Sequence, residues 1–303
     1  FGARGLTSVA FLFAAGFSFY LATAPGYVQR HRSPQQRASR VRRGLFLIVL
    51  GYALHFPILV WSDLDVATRD AAVRGFIAVD VLQCIGVSLL VLQAVTWLAP
   101  RASWLGAASA LIALALFACT PLSAAIVPRG ALSPLLSYLS SRAGSLFPLL
   151  PWAAHVFFGV ACAAWVMQPG RLRREWRLLG LALALLASSA VLTSLGAQLL
   201  LTDQLMRLGR VLIVAACLSW ISERMRALPG WMDVLSRETL ALYVLHILFV
   251  YGTGVGLADQ LGARLPPEAA VAWAALVVAA SAGVVLGVRR WQGKRLAEAA
   301  VAG

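Results

Sequence analysis

Aspartate and glutamate are scarce in this 303-residue chain: 12 in all, against 26 lysines and arginines, with charged residues making up only 13%. Soluble domains average about 25% charged and roughly 45–50% apolar residues. Here 60% are hydrophobic, and the mean hydropathy is +0.81. That excludes a water-soluble globule. It also excludes a disordered chain, because chains that stay unfolded are polar. The net charge of +14 does not make a nucleic-acid binder. Such proteins gather their basic residues on one polar face of a soluble structure, whereas these arginines lie mostly in short gaps between apolar runs. No nucleic acid is therefore expected as a partner. Lysine occurs once, at Lys294, and asparagine not at all; neither absence bears on function.

Cysteine is also sparse. Cys84, Cys119, Cys162 and Cys217 each fall inside an apolar run, and no CxxC spacing occurs. A disulfide framework or a metal centre needs more than this, so no metal is expected and the four thiols are read as small apolar core residues. The chain lacks GxxxxGK[ST], HExxH and GxSxG, which argues against a nucleotide-driven pump, a zinc protease and a serine hydrolase. It shows no recognisable selectivity filter of a channel. Alternating segments of about ten residues, the mark of a membrane β-barrel, are missing too.

What remains is a succession of apolar runs long enough to cross a bilayer, each about 20 residues. Nine are marked, at 6–24, 44–61, 80–98, 104–127, 147–167, 178–200, 208–222, 238–257 and 270–288. Backbone groups in hydrocarbon must be satisfied within the segment, so each run is expected to be a helix. The expected fold is all-α, a polytopic membrane helix bundle, with residues 1–303 as a single transmembrane domain. The seventh run is short and suggests tilt or burial. Basic residues favour the cytoplasmic side. Counting alternate gaps puts 18 of them on one side, including Arg30, Arg32, Arg37, Arg40, Arg42 and Arg43, and 8 on the other. The expected location is the inner (cytoplasmic) membrane, with the amino terminus outside and the carboxyl terminus in the cytoplasm. The GxxxG spacings Gly252–Gly256 and Gly283–Gly287 are read as helix-packing surfaces.

An ionisable group at mid-span costs about 2.5–3.5 kcal/mol on insertion scales, so each one is a candidate for function. The set is small. His55 lies in the outer half of the second run. Asp80 opens the third, with Gln83 one turn deeper. His155 follows Pro151 and Trp152 in the fifth. Arg207 and Arg210 stand at the outer end of the seventh. His246 lies near the middle of the eighth, where Thr239, Tyr243 and His246 keep i, i+4, i+7 spacing. Plainer roles stand beside these: snorkelling for the two arginines, a helix start for Asp80, an interfacial ring for His155, and structural hydrogen bonding for His55 and His246. The arginine-rich gaps serve first as the orientation signal, and as a site for anionic lipid or cofactor phosphates second.

Several stretches occur in a familiar order: FLFAAGFSFYLA (11–22), RRGLFLIVLGYALHF (42–56), DVLQCIGVSLLVL (80–92), FPLLPWAAHVFFGVA (147–161) and ETLALYVLHILFV (238–250). The series resembles bacterial relatives of the heparan-α-glucosaminide N-acetyltransferase catalytic domain over roughly residues 8–260. The resemblance implies ten or eleven helices. It implies transfer of an acyl group, usually acetyl, from cytoplasmic acyl-CoA to a sugar hydroxyl or amine outside. Expected partners are thus the lipid bilayer, acyl-CoA as co-substrate and an outer glycan acceptor, with a homodimer left open. The family's key histidine follows its first helix on the outer side, and no residue here matches it; His31 falls in a cytoplasmic gap. The expectation is either that a further helix lies upstream, making ten spans, or that the protein is a relative without catalysis. A secondary transporter or flippase for a glycan or lipid intermediate is the leading alternative, with Pro57, Pro148 and Pro151 as helix breaks.

Acyl transfer needs a base for the acceptor's proton and donors for the charge that builds on the thioester oxygen. By depth and helix face, His246, Asp80 and His55 are the catalytic candidates. Tyr243, Gln83, His155, Trp152, Arg207, Arg210, Arg42 and Arg43 are the binding candidates. Arginines of 37–43 and 171–177 are expected to recruit CoA.

Overall fold

The computed structural model describes residues 6–27, 33–56, 73–127, 129–170, 172–196, 199–225, 227, 229–251 and 265–302. Among them every regular element is a helix. In order these are α1 (Leu6–Thr23), α2 (Pro34–Leu54), α3 (Val81–Leu98), α4 (Ala102–Ala118), α5 (Thr120–Ala125), α6 (Ser133–Leu136), α7 (Leu149–Val166), α8 (Arg174–Ser194), α9 (Leu199–Ser222), α10 (Gly230–Arg237), α11 (Thr239–Tyr251) and α12 (Pro267–Ala302), with two 3₁₀ turns between α5 and α7. Among the described residues six segments are long and apolar enough to cross a membrane: Leu6–Thr23, Val73–Leu98, Leu149–Val166, Arg174–Ser194, Leu201–Ser222 and Glu268–Gln292. Ala102–Ala118 and Thr239–Val250 are apolar but shorter. The chain is a multi-pass membrane protein.

The chain divides into two compact units, Phe1–Ala53 with Val66–Arg224, and Leu54–Asp65 with Met225–Gly303. At the centre of the first stands α7, with 72% of its length buried. Lipid tails are as apolar as leucine, so helices associate in a bilayer chiefly through close packing of small residues. The α1–α7 crossing shows this. A Cβ added at Gly159 would overlap the carbonyl of Phe13, and one at Gly16 would overlap the carbonyl of Val156. Gly106 of α4 lies equally close to Ala164 of α7. Around these contacts Val9 and Phe13 of α1, Phe117 of α4, and Ala154, Cys162 and Val166 of α7 share one core with Leu178 and Ala182 of α8 and Leu208 and Leu212 of α9. At the far end of α7, Arg177 donates to the carbonyls of Trp165, Val166 and Gln168. It thereby caps carbonyls that a helix end leaves open.

In the second unit α11 packs against α12, and Arg289 of α12 pairs with Glu238 just before α11. Arg237 and Asp233 pair one turn apart on α10.

Several expectations need correction. The arginine-rich gap 25–43 is largely helix: Arg37, Arg40, Arg42 and Arg43 stand on the first turns of α2. Pro34 is preset for a first helical position, and Gln, Arg and Ala favour helix. The second run ends as helix at Leu54; Pro57 and residues 57–61 lie outside the described residues. The seventh run begins nine residues early, at Leu199. Polar Thr202, Asp203, Gln204 and Arg207 hid its first turns, yet Thr202 and Gln204 are buried. The last helix extends to Ala302, well past the expected end at 288. Pro148 and Pro151 break nothing in mid-span, because Pro148 caps α7 and the non-helical residue is Leu150 in its first turn. Gly283 and Gly287 face open space and form no packing surface, while Gly252–Gly256 lies outside the described residues. Cys84 and Cys162 are buried as expected, but Cys217 is exposed.

Candidate functional site

The helices of the first unit bring two polar clusters to the end where α3 and α7 begin. The first forms around Asp80. Leu146 and Phe147 donate their backbone N–H groups to the Val79 carbonyl, and Val79 N–H donates to Ser145 Oγ at 3.0 Å. Ser145 in turn donates to the Ser137 carbonyl at 2.8 Å. The connection before α7 is thus stapled to the entry of α3. Asp80 then opens α3 in a capping box with Gln83, whose Oε1 accepts the Asp80 N–H at 3.2 Å. Such a box satisfies donors that a helix start leaves open.

Gln83 is fully buried, its amide pressed on Gly51 of α2, where a Cβ would sit 2.5 Å from Gln83 Cδ. Only glycine leaves room there. Its Nε2 has no hydrogen-bond partner. Next along α2, Tyr52 donates its hydroxyl to the Tyr138 hydroxyl at 2.9 Å. Burial first, then this hydrogen bond, raises the Tyr138 phenol above the ordinary tyrosine range. It stays a neutral hydroxyl throughout physiological pH.

The second cluster lies around His155, one and a half turns into α7. The imidazole is fully buried. Phe117 meets it edge-on at 5.4 Å between centroids, and Trp152 lies at 5.8 Å. Its Nδ1 is 3.1 Å from the Trp152 carbonyl. A carbonyl only accepts, so in the neutral ring Nδ1 carries the hydrogen and Nε2 the lone pair. Gln204 and Arg207 of α9 are its neighbours. The Gln204 amide lies within hydrogen-bonding reach of the imidazole, and among the described residues His155 Nε2 and Gln204 Oε1 have no other partner. Two buried polar groups with no partner beyond each other cost free energy and form a place where a ligand's O–H or N–H is accommodated. Arg207 is mostly buried and pairs with Asp203 at 2.8 Å. The start of α9 is held to α8 by Ser189, which donates to the Thr202 carbonyl at 2.7 Å.

The structure therefore groups Asp80 with Gln83, and Trp152 and His155 with Arg207. Arg210 does not join them: it is exposed, and its guanidinium reaches Met206 Sδ instead. His246 and Tyr243 meet edge-on at 5.0 Å between centroids in the second unit, to which His55 also belongs. Thr239 opens the same helix, and its hydroxyl donates back to the Ser236 carbonyl. Arg42 and Arg43 are exposed on α2. Within 171–177, Arg177 binds the carbonyls named above and Arg173 pairs with Glu175 at 3.1 Å and with Glu223, while Arg171 lies outside the described residues. Among the described residues no three His, Cys, Asp or Glu gather as a group able to hold a metal ion.

Sequence reasoning missed Gln204, Tyr52 and Tyr138. Gln204 carried a signal, since it stands one turn before Arg207. Tyr138 carried none, because it sits in an irregular connection whose position depends on Val79 and Ser145.

No curated protein and no solved structure matches the chain. A family model described as heparan-alpha-glucosaminide N-acetyltransferase, catalytic, matches residues 1–202. The matched part holds α1 through α8 and both Gln83 and His155, and ends just before Gln204. Two thirds of the sequence, including the whole of the helix that carries the buried histidine, thus places the chain in the heparan-α-glucosaminide N-acetyltransferase catalytic family.

Proposed function

We propose that this chain is an acyltransferase of the cytoplasmic membrane, spanning it nine times and working as one functional domain over residues 1–303. It moves an acetyl or other acyl group from cytoplasmic acyl-CoA to an extracytoplasmic sugar hydroxyl or amine. The observation that carries the reading is the buried His155–Gln204 pair, which has no further hydrogen-bond partner among the described residues. A hydroxyl or amine acceptor supplies a further donor to this pair. His155 Nε2 then takes its proton as the oxygen or nitrogen attacks the thioester carbonyl, and gives it to the sulfur as the C–S bond breaks and CoA leaves as the thiol, a role that general bases fill for about 10²–10⁴-fold in rate. Arg207, held by Asp203, provides positive charge beside that step. Gln83 Nε2 is a buried donor without an acceptor, the kind of group that stabilises a developing oxyanion. Tyr243 and His246 line the passage in the second unit, and His55 serves it from the same unit. The arginine-bearing start of α2 supplies the positive field that draws the anionic CoA.

The test uses the purified full chain in vesicles, with labelled acetyl-CoA on one side and an amino sugar on the other. The expected result is acetyl-CoA binding and label on the sugar, both dependent on protein. Transport of an unmodified glycan without acetyl-CoA binding would refute the reading and favour a transporter.

A further inference from the structure

The cytoplasm-facing half of α2, as oriented by its arginines, carries a feature beyond its part in drawing CoA. Arg37, Ala38, Val41, Arg42, Leu45, Phe46 and Val49, with Trp97 of α3, line a shallow groove of about 690 Å³. The α2 positions advance by three and four residues, so they form one stripe along one helix face. The stripe changes character along its length. Arg37 and Arg42 stand at its start. Leu45, Phe46 and Val49 follow at 50%, 52% and 65% exposure, beside Trp97 at 47%. Over the eleven residues from Ala38 to Val49 the helix rises about 16 Å, roughly half the hydrocarbon thickness of a bilayer. A tryptophan sits where such rings collect, near the water interface.

We infer that this groove is a binding site for an anionic phospholipid, its headgroup phosphate held between Arg37 and Arg42 and one acyl chain lying along Leu45, Phe46 and Val49 against Trp97. Charge complementarity selects the occupant. Arg37 and Arg42 are the charged residues of an otherwise apolar lining, and guanidinium recognises phosphate with paired hydrogen bonds. A zwitterionic lipid brings its own cation to the same end and loses that advantage. The stem carbons of both arginines line the groove, as long basic side chains do at an interface. Arg40 and Arg43 lie on other faces of α2 and take no part; Arg40 rests over the Phe19 ring instead. Neither polar cluster belongs to the groove, so the lipid site and the acyl-transfer chemistry fail separately, although the groove shares its arginines with the field that draws CoA.

The experiment is native mass spectrometry of the full chain released from vesicles of phosphatidylglycerol and phosphatidylcholine in equal amounts. Wild-type protein is expected to retain one phosphatidylglycerol in preference to phosphatidylcholine. The double variant Arg37→Gln, Arg42→Gln should lose that preference by roughly tenfold or more, while Arg290→Gln should keep it. If the double variant does not yield monodisperse protein, a salt titration of the wild type serves. Retention of phosphatidylglycerol should fall with salt, as exposed charge pairs do, and that of phosphatidylcholine should not. Equal retention of the two lipids, or preference unchanged in the double variant or by salt, overturns the proposal. So does displacement of the lipid by stoichiometric acyl-CoA, which would assign the groove to the co-substrate.

Discussion

Trp152-Ala-Ala-His155 and Tyr243-Val-Leu-His246 are the same device in sequence: an aromatic ring, two apolar residues and a histidine, set in an apolar helix. The structure gives them different surroundings. His155 is fully buried between Phe117 and Trp152, beside Gln204 and Arg207. His246 is half-buried, with Tyr243 as its ring neighbour at 5.0 Å. The i, i+3 spacing guarantees that ring and imidazole share a face. It does not decide what that face meets. The difference comes from the neighbours: Gly159 and Gly106 let α1 and α4 close on α7, and α9 delivers polar side chains to the same layer.

The comparison breaks most sharply in activity. His155→Gln keeps a polar ring-sized side chain but loses the basic nitrogen, and acetyl transfer should fall on the order of 10²-fold or more, with acetyl-CoA binding retained. His246→Ala should lower transfer by less than about tenfold. The readout is labelled acetate on the acceptor, with acetyl-CoA binding as the control for folding. The opposite ranking would return the catalytic role to the second unit.

Packing gives the next largest contrast. Gly159→Leu forces a side chain into the Phe13 carbonyl of α1, and overpacking of this kind costs about 1–3 kcal/mol or more. Thermal unfolding in detergent should show a clear loss of stability. At Gly287, where an added Cβ meets nothing, the leucine variant should stay within about 0.5 kcal/mol of wild type. Equal losses at the two sites would mean that α12 has a partner surface of its own.

These contrasts explain what was legible in the sequence. Hydropathy located α1, α3 and α7 to within a few residues at both ends, because insertion into lipid depends on summed side-chain transfer and needs no partner. The same measure failed at the start of α9, where buried Thr202 and Gln204 read as the end of an apolar run. It failed again at α2, where arginines on helical turns read as a loop. The polar candidates inside spans were visible by their cost, and Asp80, Gln83, His155 and Arg207 are indeed drawn inward. Their partners were not visible. Tyr52 meets Tyr138 across 86 residues, a pairing set by how α2, α3 and the connection before α7 assemble. Nor could periodicity separate Gly159 from Gly283, because small residues permit close approach without compelling it.

Gln83 offers a contrast within its own side chain. Oε1 is engaged by the Asp80 N–H, while Nε2 is buried without a partner. Replacement by glutamate at neutral pH would bury a charge. Methionine is the informative change: it keeps the length, removes the unpaired donor and sacrifices one capping hydrogen bond worth about 1 kcal/mol. Stability should thus drop by no more than about 1 kcal/mol in thermal unfolding. If Nε2 serves the thioester oxygen, transfer should fall well beyond that change while acetyl-CoA binding holds. Loss of folding without a kinetic effect would reduce Gln83 to a cap.

The smallest expected effect separates the two arginines of α9. Arg207 is paired with Asp203 and mostly buried, so Arg207→Gln leaves a partly exposed carboxylate without its ion pair and removes the cation beside His155. It should lower both stability and transfer. Arg210 is exposed and contacts Met206, and surface substitutions of this kind usually stay within about 0.5 kcal/mol. Arg210→Gln should therefore leave unfolding and transfer unchanged, measured side by side with Arg207→Gln. A strong effect at Arg210 and none at Arg207 would place the functional face of α9 on its outward side. That would detach Gln204, which shares the inward face with Arg207, from any role in the chemistry.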